Sequence, residues 1–240
     1  MLTHAARVLA VAALFLPAAA SAQTADELVA RNIEAKGGLD RIKSVETLRM
    51  TGSTTVGPAT EAPFVMEIKR PNKMRMDITV QGQTATQAFD GTRGWQAAPG
   101  SPEPRLLPSQ MTRGLQDQAD FYGPLVDAKA KGLDVEYAGV TKLDTGDAYK
   151  LIVTLRDGET RTVFLDAKSY LEVRGEMTVK AGGRAIEVVT LISDYRPVDG
   201  LVLPHRMESG PLGSPNRMRM TIEKVELNVP IDDTRFEMPK

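Results

Sequence analysis

From Thr47 onward the chain alternates apolar and polar residues with a period of two. Leu48 and Met50 alternate with Thr47, Arg49 and Thr51. Phe64, Met66 and Ile68 alternate with Val65, Glu67 and Lys69, and Met74, Met76, Ile78 and Val80 with Arg75, Asp77, Thr79 and Gln81. This alternation predicts antiparallel strands with one apolar and one wet face. Gly57-Pro58, Pro71-Asn72, Gly82 and Asp90-Gly91 mark the turns between them, and residues 92–98 around Trp95 close this first set. Strands resume at Leu133. Tyr149, Leu151, Val153 and Leu155 alternate again, and Asp157-Gly158 and Gly182-Gly183 read as tight hairpins. Segments 160–165, 171–179, 184–195, 201–208 and 218–227 follow. About eleven strands at this spacing predict a barrel or sandwich.

Two stretches break the alternation. Residues 24–43 read as helix: Thr24-x-x-Glu27 is a capping box, Leu28, Val29 and Ile33 form an apolar face, and Gly37-Gly38 stops it. Leu39, Ile42 and Val45 lie in the turn beyond. Residues 99–132 begin with an irregular arm carrying Pro99, Pro102, Pro104 and Pro108, after which Ser109 is placed to cap a short helix. Leu107, Met111, Leu115 and Ala119 recur every four residues, a narrow apolar stripe. Gly114 within it costs ~1 kcal/mol of helix stability relative to alanine. Phe121 to Val126 then lead to a turn at Gly132.

The N-terminus has a different character. Arg7 precedes an unbroken apolar run from Val8 to Leu16, Pro17 ends that run, and Ala20-Ser21-Ala22 offers small residues for a signal peptidase. As a helix the run rises only ~14 Å, too short for a hydrocarbon core of ~30 Å. Residues 1–22 are therefore expected to be a cleaved signal peptide, leaving residues 23–240 as a single exported domain beginning at Gln23. The chain has no cysteine. Disulfides and cysteine lipidation are thus both unavailable, and a soluble, non-lipidated protein is expected.

Charge and candidate chemistry narrow the function. With 30 basic and 31 acidic residues, there is no electrostatic reason to expect nucleic acid as a partner. No hydrophobic stretch after the signal approaches membrane-spanning length. Beyond the signal the one histidine is His205, in a strand-like segment; G-x-S-x-G, H-E-x-x-H and a phosphate-binding glycine loop are missing. Asp232-Asp233 sits where a turn is expected. These features predict no enzyme, no cofactor and no metal. Of the 11 methionines, Met50, Met66, Met74, Met76, Met218 and Met220 fall on the apolar phase of strands. Methionine is flexible and polarizable and suits variable apolar partners. From the residues alone, an adaptable cavity and an ordinary core both remain open.

The segment Lys69-Arg70-Pro71-Asn72-Lys73-Met74-Arg75-Met76, with Asp90-Gly91 and Trp95 after it, resembles the strand–turn–strand signature of LolA-type periplasmic lipoprotein carriers. The ending from Val229 to Pro239 resembles their C-terminal strand and turn. The order of elements is also similar, most of all to the longer outer-membrane lipoprotein-sorting branch. This resemblance implies a mainly β fold with flanking helices: a half-open, strongly curved antiparallel barrel around an apolar cavity, under a helical lid. The cavity would be lined by Leu48, Met50, Phe64, Met66, Ile68, Met74, Met76, Ile78, Met218 and Met220. The lid would present Leu107, Met111, Leu115, Phe121 and Leu125, and Arg70, matching the arginine of the family's segment, would latch it. Read without the resemblance, Arg70 is a strand-end charge beside a turn proline.

Such proteins bind acyl chains of lipoproteins or lipids in the periplasm, between an inner-membrane donor and an outer-membrane acceptor. The extra length at residues 99–132 leaves the cargo open. So do two other uses of the fold, a lipid- or protein-sensing envelope protein and an enzyme with an unfamiliar site.

Overall fold

The computed structural model describes residues 23–57, 60–101, 103–181 and 183–239. The expected signal peptide, together with Pro58, Pro102 and Gly182 of the expected turns and arm, lies outside the described residues. The capping box forms as the sequence predicts. The Thr24 hydroxyl accepts from the Glu27 amide at 3.2 Å, and the Thr24 amide donates to the Glu27 carboxylate at 3.0 Å. This starts helix α1, Ala25–Ala35. It stops where Gly37-Gly38 was expected to end it: at Gly37 φ is +115°, and a Cβ would sit 2.3 Å from the Gly200 carbonyl oxygen. Only glycine serves there. A second helix, α2, Leu39–Lys43, forms where a turn was expected.

Among the described residues thirteen strands form one antiparallel sheet. In chain order they are β1 Thr47–Val56, β2 Thr60–Lys69, β3 Lys73–Val80, β4 Gln83–Phe89, β5 Gly94–Ala97 and β6 Arg105–Leu106. After helix α3, Ser109–Ala119, come β7 Asp134–Leu143, β8 Gly146–Thr154, β9 Thr160–Asp166, β10 Glu172–Ala181, β11 Arg184–Val198, β12 Leu201–Pro211 and β13 Met218–Leu227. The count corrects the expected eleven. A two-residue β6 is too short for periodicity to register, and β4 buries the consecutive pair Ala88 and Phe89 instead of alternating. Ser109 is also corrected: Pro108 occupies the cap position with no side-chain hydrogen bond, and Ser109 is already helical.

The spatial order is β6-β5-β4-β3-β2-β1-β13-β12-β11-β10-β9-β8-β7. Every neighbouring pair is consecutive in sequence except β1 and β13. Two meanders therefore meet at that pair, and the sheet curves without closing, its edges being β6 and β7. At the junction the register shifts between Thr51 and Gly52, a bulge. Gly52 lies so close to β13 that a Cβ would be 2.0 Å from the Thr221 carbonyl oxygen. Bulges bend strands and raise their twist, which bends the sheet where its two halves join.

One face of the curved sheet carries three apolar clusters beneath the helices. The first joins Leu48, Phe64, Met66, Ile68, Met74, Phe89, Met220 and Ile222 to Leu115 and Ala119 of α3. The second joins Leu28 of α1 and Leu125 to β8 and β9, and the third joins Ile42 and Val45 to Val126 and Leu201. The C-terminal segment lies across the opposite face. Phe236 is fully buried there, and its carbonyl accepts from the Trp95 indole N–H at 2.8 Å. Beside it the buried Glu67 carboxylate is held by Arg49 at 2.9 Å and Arg235 at 3.0 Å. A buried carboxylate with two guanidinium partners avoids the penalty of a lone buried charge.

The Gly52 geometry yields a direct expectation. Gly52→Ala places a methyl group against backbone rather than against a movable side chain, so the strands must separate or the bulge must shift. Urea unfolding should show a loss of about 1–3 kcal/mol, the range for overpacking a closely packed site. An unchanged midpoint would mean that the β1·β13 junction yields freely.

Candidate functional site

Residue pairing explains how the helix-covered face acquires its apolar rows. Across the β2–β3 hairpin, Phe64 faces Ile78, Met66 faces Met76 and Ile68 faces Met74. These six therefore share one face, as the two alternations require. The rows continue into β1 and β13: Met76, Met66, Met50 and Val225 form one rung, and Met74, Ile68, Leu48 and Leu227 another. Of the ten expected cavity residues, Leu48, Phe64, Met66, Ile68, Met74 and Met220 are buried in this cluster, and Met50, Met76 and Ile78 pack against it half-buried. Met218 keeps the same phase but is 50% exposed, at the end where the β12–β13 hairpin turns.

The expected lid residues are distributed differently. Leu115 and Ala119 of α3 are buried against the first cluster, with Leu107 and Phe121 packed at its side. Leu125 belongs instead to the second cluster, under α1. Met111 is 48% exposed on the first turn of α3. The far side of α3 is polar and reaches the second half of the sheet. Arg113 pairs with Asp157 at 3.0 Å, Asp117 pairs with Arg161, and the Gln110 amide donates to the Lys180 carbonyl. Exposed pairs of this kind contribute only about 0–1 kcal/mol each and weaken with salt. The helix is thus attached by apolar packing along β3–β5 and by screened polar contacts along β8–β10.

Arg70 lies just beyond β2, where its guanidinium meets two separate segments. Nη1 donates to the Lys43 carbonyl at 3.0 Å and pairs with Glu46 at 3.3 Å. The guanidinium carbon lies 5.1 Å from the centre of the Tyr122 ring, a cation–π contact. The Tyr122 hydroxyl in turn donates to the Val45 carbonyl at 3.0 Å. Burial pushes the Tyr122 phenol up, and the neighbouring Arg70 charge opposes that shift. Arg70 therefore connects the α2–β1 turn to the segment that follows α3. No role for Tyr122 was readable from the sequence, because its partners are distant along the chain, although an aromatic pair beside Gly-Pro was a visible signal.

An open groove of about 730 Å³ lies at the end of the apolar face where the β1–β2 and β12–β13 hairpins turn. Thr54, Val56, Ile78 and Met218 line it together with the charged Glu61 and Arg217. Thr54 is the residue that sequence reasoning missed. It continues the apolar phase of Leu48 and Met50 along β1, and a hydroxyl on that phase was the available signal. His205 is buried on β12 with Nδ1 3.0 Å from the Leu203 carbonyl oxygen, a hydrogen bond only if that nitrogen carries the proton. Asp232 caps the 3-10 turn Asp233–Arg235 by accepting from the Thr234 amide, so the aspartate pair has a structural part. Among the described residues there is no cluster of three or more histidine, cysteine or carboxylate side chains placed to hold a metal, and no helix long and apolar enough to cross a membrane.

No family model matches the sequence, and no curated protein matches it either. Solved structures do match, over nearly the whole chain. A LolA superfamily protein from Nitrosomonas europaea has a TM-score of 0.60 at 15% identity, covering 90% of this chain and 98% of its own. A DUF1329 family protein from Desulfovibrio piger has the same score and identity, with 89% and 97% covered. A domain described as that of an outer membrane lipoprotein-sorting protein, from Vibrio parahaemolyticus, scores 0.61 at 11% identity, with 88% and 95% covered. The chain has a LolA-like fold, and at these identities the likeness concerns the fold.

The Arg70 contacts predict a local effect. Arg70→Leu removes the guanidinium from Tyr122 and from Lys43. Hydrogen exchange of amides in residues 106–131 should then quicken several-fold, while global stability falls by less than about 1 kcal/mol, since the contacts are partly exposed. Unchanged exchange in that stretch would leave Arg70 as a surface charge only.

Proposed function

We propose that this protein is a periplasmic carrier that binds the acyl chain of a lipid or lipoprotein on the apolar face beneath α3 and moves it toward the outer membrane. The observation that carries this reading is the asymmetric attachment of α3 above a methionine-rich apolar face. Met50, Met66 and Met76 form adjacent positions of one rung there. Methionine repacks around differently shaped hydrocarbon at little cost. An acyl chain gains ~0.8 kcal/mol per buried CH₂, so a carrier needs a cover that encloses the chain and can also release it. Leu115 and Ala119 supply apolar closure on one side, and the exposed pairs of Arg113 and Asp117 supply a weak seam on the other. The LolA-like fold is consistent with this role. Residues 23–240 acting as one exported unit, with Arg70 as latch and transient donor and acceptor partners, complete the reading.

Fluorescence titration with a long-chain acyl probe, beside thermal unfolding, tests it. The wild type should bind the probe. Met66→Phe should weaken binding several-fold while costing little stability, because a face that opens to admit hydrocarbon can rearrange around the added volume. Absence of probe binding by the wild type would favour a packed structural barrel. So would a loss of about 1–3 kcal/mol in Met66→Phe with binding unchanged.

Gly114 adds a second test. A Cβ there meets nothing within 4 Å. Gly114→Ala should therefore stabilise α3 by about 1 kcal/mol and slow probe uptake in stopped-flow measurements. Faster or unchanged uptake would mean that α3 does not govern entry.

A further inference from the structure

Thr54 presents a chemical problem that the rest of the sheet does not. It is 2% exposed, and its Oγ1 is buried with no hydrogen-bond partner among the described residues. Its neighbours across the strands are Ala62 and Met220, both buried and apolar. A hydroxyl left unpaired in such surroundings keeps its desolvation penalty uncompensated. Valine would fill nearly the same shape without that cost. Thr54 is also one of the residues that line the open groove of about 730 Å³. Along β1 and β2 the apolar phase continues from Thr54 through Phe64, Met50 and Met66, whereas the groove lining also includes charged residues. Glu61 and Arg217 stand there, and neither forms an ion pair among the described residues.

We infer that this groove is the portal for a single-chain acyl ester amphiphile, which enters tail first, and that the Thr54 hydroxyl donates to its ester carbonyl. The inference rests on the carrier reading and extends it to the linkage chemistry and orientation of the ligand. The order of surfaces along the groove matches the order of groups in such a molecule. Its hydrocarbon tail meets the methionine rungs, its ester reaches Thr54 at the boundary, and its polar head group remains between Glu61 and Arg217. A free hydrocarbon or an ether-linked chain offers no carbonyl at that point and leaves the hydroxyl unpaired.

The test compares a long-chain lysophospholipid carrying an ester-linked chain with its ether-linked counterpart of equal length and the same head group. Wild-type protein should bind the ester about three- to tenfold more tightly, the range expected for one buried hydrogen bond. Thr54→Val should abolish that preference while its thermal midpoint stays level or rises, and Thr54→Ser should restore the preference. Equal binding of the two probes by the wild type, or an undiminished ester preference in Thr54→Val, would overturn the inference and leave the carrier reading standing. Failure of the wild type to bind either probe would overturn both.

Discussion

The pairing of β1 with β13 is the constraint on which the rest of the structure depends. All other neighbouring strands are close in sequence and need only a short turn. This pair brings Leu48 against Leu227 and Met50 against Val225, from opposite ends of the described chain. Bringing such distant segments together costs loop-closure entropy that hairpins do not pay. The cost is offset on both faces. On one, the methionine and leucine rungs run unbroken across the junction. On the other, the C-terminal segment that leaves β13 returns over the first meander and buries Phe236 beside Trp95. The Gly52 bulge is the third part of the same junction, because it bends the sheet where the two halves meet.

That bend decides what the apolar face can do. A flat sheet with these residues would leave a broad hydrophobic surface open to water. Curved, it can be covered by three short helices and a few turns: α1 and α2 from the start of the described chain, and α3 with its following turns from the chain between β6 and β7. The cover is unequal in kind. Apolar contacts are not weakened by charge screening, whereas the exposed pairs along β8–β10 are. The second cluster, with Leu125 and α1 over β8 and β9, is closed by apolar packing, and Asp26 of α1 forms an exposed pair with Lys129 at its rim. In the carrier reading, movement belongs to α3 and the groove end, while Glu67, held by Arg49 and Arg235, ties the outer face of the sheet to the C-terminal segment.

Much of this was legible in the residues because the signals are local. Alternation in Phe64-Met66-Ile68 and Met74-Met76-Ile78, with Pro71-Asn72 between, determined that these six would share a face. Thr24 and Glu27 determined where α1 begins, and Gly37 where it ends, since caps and positive φ depend on residues a few positions apart. The segment around Arg70, with the C-terminal ending, was enough to suggest the LolA-like fold. Only the tertiary structure decided how far Met218 and Met111 are exposed, that Leu125 joins a different cluster from Leu115, and that Arg70 finds Tyr122. It also decided that Thr54 keeps a buried hydroxyl without a partner among the described residues. Each of these depends on which distant strand or turn comes alongside. A period-two pattern states that a side chain faces one side of a sheet, but burial is set by what covers that side, and the cover here comes from segments far away along the chain.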